Sequence, residues 1–60
     1  MTKLLRLPVV TEITGLKRSA IYQKMDEGIF PRPVKLGSRS VAWRSDDIQK
    51  WINERPVAGG

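Results

Sequence analysis

Residues 27–44 read EGIFPRPVKLGSRSVAWR, and their prolines and turn-forming residues are the clearest structural signal in the chain. Pro31 and Pro33 cannot lie inside a helix, so they force the chain along an extended path. The segments that follow alternate apolar and polar positions on either side of the turn-rich tetrapeptide GSRS, residues 37–40. The pattern predicts a small β-hairpin with Arg39 near its tip.

The predicted hairpin needs a surface to pack against, because an isolated two-stranded hairpin is barely stable in water. Four of its residues are expected to supply the face that meets the helices: Val34, Leu36, Val41 and Trp43. The segment from Phe30 to Pro33 is interpreted as a stiff connector that fixes the hairpin, rather than as a proline-rich ligand for another protein.

Two short helices are predicted before the hairpin. Pro8 suits the start of a helix over residues 8–14, and Gly15 suits its end. Gly28 is a natural stop for a second helix over residues 18–27. Because only a few residues around a glycine separate the two, the pattern favours a helix-turn-helix.

The spacing of apolar residues predicts which side each helix buries. The first helix should bury Val9 or Val10 together with Ile13. The second should bury Ala20, Ile21 and Met25. Its opposite arc contains Ser19, Tyr22, Gln23 and Asp26.

A third helix is predicted after the hairpin. Ser45 is expected to cap it, and Asp46 and Asp47 fall in its first turn, where carboxylates favour the helix dipole. Its apolar stripe is Ile48, Trp51 and Ile52. Pro56 should end it.

Sixty residues form one domain at most, which we place at residues 1–56 with a flexible tail at 57–60. A chain this short buries only about 60% of the surface that its unfolded form exposes, so its stability should be marginal. The large apolar residues must therefore converge on one core. The candidates are Leu7, Val10, Ile13, Leu16, Ile21, Met25, Phe30, Val34, Leu36, Trp43, Ile48, Trp51 and Ile52.

The excess positive charge of the chain lies in its middle, in residues 15–44. This segment holds seven lysines and arginines against two acidic residues, whereas the rest of the chain holds four of each, so the formal net charge of +5 is local. A localised positive field on a small domain predicts a polyanionic partner, and nucleic acid is the leading candidate.

Composition excludes several kinds of chemistry. The chain has neither cysteine nor histidine, which excludes zinc sites built on those residues and Ser-His or Cys-His nucleophile pairs. Neither an enzyme nor a cofactor, metal or small-molecule substrate is predicted. The opening residues are too short an apolar run for a signal peptide, and no stretch approaches the ~20 apolar residues of a membrane span. We expect a cytoplasmic protein with no membrane partner.

Five segments carry a family resemblance: RLP (6–8), TGLKRSAIY (14–22), EGIFPRPVKLG (27–37), VAWR (41–44) and DIQKWI (47–52). Over about residues 4–55 the chain closely resembles the AlpA family of prophage and mobile-element regulators. That family is similar to the DNA-binding part of MerR-type proteins and to phage excisionases. The Gly-x-Phe-Pro-x-Pro segment, followed by Trp-Arg and a helix tryptophan, is the specific part of the resemblance.

The resemblance implies a fold that is mainly α with a small β-hairpin, a winged helix-turn-helix that binds double-stranded DNA at a promoter or attachment site. It implies a transcriptional activator, with an excisionase-like architectural factor as the alternative. A monomer this small can contact only one short half-site, so self-association on DNA is expected in either case. From a different class, a small protein-interaction module or antirepressor remains open.

The second helix is the candidate recognition helix, because a helix fits the major groove and its N-terminal part reaches base edges. Its candidate contacts are Lys17, Arg18, Ser19, Tyr22 and Gln23. Arginine can grip guanine and glutamine can pair with adenine, whereas hydroxyl groups more often hold phosphates. Tyr22 is expected to pack its ring and turn its hydroxyl outward. The alternative is an ordinary solvated helix face.

The hairpin is the candidate wing, with Ser38, Arg39 and Ser40 at its tip and Lys35 and Arg44 flanking phosphates from one shared sheet face. An arginine at such a tip is attracted by the negative potential of the minor groove. The alternatives are a plain turn, solvated charges and an ion pair between Arg44 and an acid of the third helix. Both tryptophans are predicted to be core residues rather than platforms for stacking bases.

Overall fold

The computed structural model describes residues 1–56, and the predicted tail lies outside the described residues. Three helices and three short strands follow one another as β1 (Leu4–Leu5), α1 (Leu7–Thr14), α2 (Arg18–Asp26), β2 (Val34–Lys35), β3 (Val41–Arg44) and α3 (Ser45–Asn53). This confirms the predicted fold class, a winged helix-turn-helix that is mainly α. No helix in this part of the chain is long and apolar enough to cross a membrane.

The sheet has three antiparallel strands in the order β1-β3-β2, so β3 is central. The strands β2 and β3 are the predicted hairpin. Strand β1 was not predicted; it pairs Leu4 with Arg44 and Leu5 with Trp43. A two-residue strand is too short to show a period, and it forms only because β3 offers a free edge.

Two glycines end the first two helices as predicted. Gly15 follows α1 with a φ of 72°, and Gly28 lies just after α2 with a φ of 76°. Both values fall in the left-handed region, which glycine adopts without the steric cost that a Cβ imposes. The helix bounds agree with the predicted ones to within one residue.

The core lies where the helices meet the sheet. Its buried cluster consists of Val10, Ile21, Met25, Phe30, Trp43 and Ile48. Leu5, Leu7, Leu16, Val41, Trp51 and Ile52 pack against this cluster while remaining partly exposed. Trp43 is fully buried, and its indole Nε1 donates a hydrogen bond of 2.9 Å to the carbonyl of Pro31. That bond joins the hairpin to the proline connector.

Two residues predicted for the core lie at the surface instead. Ile13 is 49% exposed because the short α1 turns only the side that carries Val10 toward α2 and β3. Leu36 is 47% exposed because β2 ends just before it. It belongs to the turn, in which its amide donates a hydrogen bond to the carbonyl of Ser40. The hairpin therefore packs through Trp43 and Val41.

The predicted cap of the third helix is also wrong. Arg44 occupies the N-cap position, with an extended backbone and no capping bond from its side chain. Ser45 is the first helical residue, and its Oγ accepts a 2.8 Å hydrogen bond from the amide of Lys3. The serine hydroxyl thus anchors the N-terminal strand rather than the helix. Asp46 and Asp47 do lie in the first turn of α3, as predicted.

Candidate nucleic-acid interface

The turn between α1 and α2 sets the direction of α2. The hydroxyl of Thr14 donates a 2.7 Å hydrogen bond to the carbonyl of Val10 and accepts one of 3.3 Å from the amide of Leu16. The amide of Gly15 bonds the carbonyl of Thr11 at 2.9 Å. The bond from Gly15 pairs one of the carbonyls that the end of α1 leaves free, and the hydroxyl of Thr14 ties the amide of Leu16 to the last turn of the helix.

The second helix buries Ile21 and Met25, which turns its opposite arc outward. All five predicted recognition residues are exposed: Lys17, Arg18, Ser19, Tyr22 and Gln23. The guanidinium carbon of Arg18 lies 5.8 Å from the ring centroid of Tyr22, one helical turn away. This cation–π contact holds the arginine along the helix surface. The ring of Tyr22 is only partly covered, with 39% of the residue exposed.

The wing is a short ribbon closed by two backbone hydrogen bonds. Within it Lys35 pairs with Val41, and the amides of Leu36 and Gly37 donate to the carbonyl of Ser40 at 2.7 and 3.3 Å. Residues 36–40 therefore form a tight loop. Its predicted contact residues Ser38 and Arg39 are exposed, while Ser40 is half-buried.

One cavity lies between the recognition helix and the wing. It has a volume of about 370 Å³, and its polar lining consists of Arg6, Arg18, Tyr22 and Arg39. Leu7, Pro8 and Val41 complete the lining. We call this cavity the arginine notch. It brings together residues from α2 and from the wing loop, so these two elements present cations on the same side of the molecule.

The other predicted contact residues lie outside the lining of the notch: Lys17, Ser19, Gln23, Lys35, Ser38, Ser40 and Arg44. Lys35 lies directly opposite Val41 and shares its face of the sheet. Arg44 lies three residues after Val41 on the same strand, so the alternation of side chains places it on the opposite face. The prediction that Lys35 and Arg44 share a sheet face is therefore wrong.

Arg6 is the lining residue that sequence reasoning missed. It precedes α1 and directly follows β1, which pairs with the wing strand. Charge counting placed it in the neutral part of the chain, because only the unpredicted strand β1 brings it beside the wing. The signal in the sequence was its place in the segment RLP, which the family resemblance includes.

A second cavity of about 450 Å³ lies between α3 and the loop after α2. Its charged lining is balanced: Asp47, Lys50, Glu54 and Arg55. The guanidinium of Arg55 lies 4.6 Å from the ring centroid of Trp51, whose indole Nε1 bonds the carbonyl of Ile29 at 2.8 Å. A cavity with equal numbers of both charges does not attract a polyanion as the notch does. Among the described residues no group of acidic or other ligating side chains is suited to hold a metal ion.

Comparisons with known proteins identify the family of the chain. The family model described as prophage CP4-57 regulatory protein (AlpA) matches residues 3–56, which confirms the resemblance noted from the sequence. The DNA-binding transcriptional activator AlpA of Escherichia coli (strain K12) is 34% identical over 59 residues, with 88% of this chain and 84% of the relative covered.

An uncharacterized protein of Enterobacteria phage P4, ORF88, is 40% identical over 57 residues. The match covers 95% of this chain but only 64% of the phage protein, so the chain spans less than two thirds of that relative's length.

Proposed function

Because the chain belongs to the AlpA family of prophage regulatory proteins, we propose that it binds double-stranded DNA and regulates transcription of a prophage or related mobile element. Residues 1–56 would form the DNA-binding domain. The E. coli relative named as a DNA-binding transcriptional activator supports the activator role.

The observation that carries the proposal is the shared position of Arg18, Tyr22 and Arg39 around the arginine notch. Arg18 and Arg39 are 21 residues apart in the sequence and belong to different elements. A duplex can meet both at once only if they lie on one side of the molecule, and their common cavity supports that geometry.

The docking follows from the shape of the two elements. The N-terminal part of α2 would enter the major groove, with Gln23 facing base edges and Arg18 and Ser19 facing the backbone. The wing loop would meet the adjacent backbone or minor groove through Arg39, with Ser38 beside it. Lys17 and Lys35 would contact phosphates on either side.

Salt dependence tests the proposal directly. Four to six neutralised phosphates give a slope of about −4 to −5 for log affinity against log salt concentration. Binding to the element's own promoter or attachment-site duplex would be measured by fluorescence anisotropy at several salt concentrations. Arg18→Gln and Arg39→Gln should each weaken binding. The matched control is Lys50→Gln, which removes the same charge beside the other cavity. A flat salt response would exclude DNA as the partner.

Activator and excisionase-like factor use the same surface and differ in what they do to the duplex. An architectural factor should bend the bound DNA fragment, so the electrophoretic mobility of the complex should depend on where the site lies within the fragment. An activator should instead raise transcription from a reporter promoter. The stoichiometry of the complex on one site tests self-association. Binding of a host protein in place of DNA would favour an antirepressor.

A further inference from the structure

We propose that the arginine notch is a binding site for a phosphodiester group of the DNA backbone and that Arg6 is a DNA-binding residue. This inference rests on the proposed function and deepens it, since it assigns one part of the surface to one chemical group. It also adds a residue from outside the recognition helix and the wing.

The charge of the lining carries the first step. Three arginines, Arg6, Arg18 and Arg39, line one cavity, and no acidic residue is part of its lining. Like charges brought together by folding repel one another, and an anion bound between them would relieve that repulsion. The cavity near α3 differs in this respect, because both carboxylates and cations line it.

The chemistry of the lining identifies the anion. The planar guanidinium fork matches two oxygens of a phosphate, and the hydroxyl of Tyr22 adds one more donor. The remaining lining residues, Leu7, Pro8 and Val41, have apolar side chains. Guanine also presents two acceptors in the major groove, but it is neutral. A phosphodiester presents only acceptors and carries a negative charge, so it fits a site lined by three arginines and no acidic residue.

The position of Arg6 explains how it would act. Its carbonyl accepts hydrogen bonds of 3.0 Å from the amides of Val9 and Val10, which fixes its backbone at the start of α1. Arg6 is one of the residues that line the notch between α2 and the wing. A phosphate held there would belong to the DNA backbone that separates two grooves of the duplex, the one that α2 reads and the one that the wing approaches. Arg6 would thereby set the register of both elements without reading sequence.

The test compares Arg6→Gln with Lys50→Gln on two duplexes, the cognate site and a scrambled sequence of equal length. Loss of one phosphate contact should make the salt slope less negative by about 1 and lower the affinity about tenfold on both duplexes. The control should stay close to the parent protein. Thermal unfolding of both variants would be recorded first to establish that they fold.

A double variant tests whether two arginines hold the same phosphate. If Arg6 and Arg39 share it, the combined change should weaken binding by less than the product of the two single effects. A loss for Arg6→Gln that is confined to the cognate duplex would assign it to base reading, and an effect no larger than that of Lys50→Gln would remove it from the interface. Either result overturns the inference.

A titration with inorganic phosphate tests anion binding at the notch independently of DNA binding. It would be monitored through the amide NMR signals of the parent protein. At matched ionic strength in chloride, signals at Arg6, Arg18 and Arg39 should move with phosphate and respond less in Arg6→Gln. If phosphate shifts them but no duplex binds, the proposed function and the DNA-binding role of Arg6 both fail, while the notch remains a phosphate site. If duplex binds but Arg6→Gln behaves like the control, the anion site fails and the proposed function stands.

Discussion

Trp43 links the packing of the core to the path of the proline connector. It is fully buried, and its indole donates to the carbonyl of Pro31, which is itself partly buried. Replacement by phenylalanine keeps an aromatic ring but leaves that carbonyl without its partner. A partly buried acceptor that loses its donor costs about 2 kcal/mol, a large share of the roughly 3–9 kcal/mol expected for a domain of this size.

The corresponding change at Trp51 provides the matched control. Its indole also bonds a backbone carbonyl, that of Ile29, but this bond is exposed, so water can replace the lost donor. We expect Trp43→Phe to lower the free energy of unfolding in urea by at least 1 kcal/mol more than Trp51→Phe does. Trp43→Phe also removes one ring from a fully buried site, which adds to its cost. Equal losses would mean that neither this packing nor the bond to Pro31 contributes more than the corresponding contacts of Trp51.

Gly15 is the second position where a single residue determines the local structure. Its φ of 72° lies in the left-handed region, although a Cβ would meet no neighbour there. Gly15→Ala should therefore cost about 1 kcal/mol from backbone strain alone. Gly37→Ala is the control, because Gly37 also has open space but lacks a positive φ. The control should leave the urea midpoint unchanged or raise it slightly.

Among the elements, the turn of the helix-turn-helix depends on the hydroxyl of Thr14. Thr14→Val keeps the shape of the side chain but removes both of its hydrogen bonds, to Val10 and from Leu16. We expect a loss of about 1–2 kcal/mol in unfolding free energy. Thr11→Val removes one exposed bond in the same helix and should cost less than half as much. A loss as large for Thr11→Val would show that the turn has no special role.

The elements also show what the sequence could predict and why the rest was missed. Proline and glycine act on their own backbone, so the hairpin and the ends of α1 and α2 followed from local rules. β1 consists of two residues that become a strand only by pairing with β3, about 40 residues later. That pairing also brings Arg6 to the notch and draws Ser45 away from capping α3, so these three misses have one cause.

At the scale of the whole molecule, a small core is combined with an excess of positive charge. Among residues 1–56 only seven hydrophobic residues are buried, while the chain carries a net charge of +5. Three arginines meet at one cavity without an acidic partner, so the arrangement that prepares the surface for a polyanion opposes folding in its absence. A bound anion should therefore stabilise the fold.

Thermal unfolding measures this coupling between binding and stability. A duplex present at about 100 times its dissociation constant adds about 2.7 kcal/mol to the folded state, which for a domain of this size raises Tm by roughly 10 °C or more. The same duplex in about 1 M salt should give little or no shift, because exposed charges are then screened within about 3 Å. A shift that persists at high salt would assign the complex to apolar contacts instead of the cations of α2 and the wing.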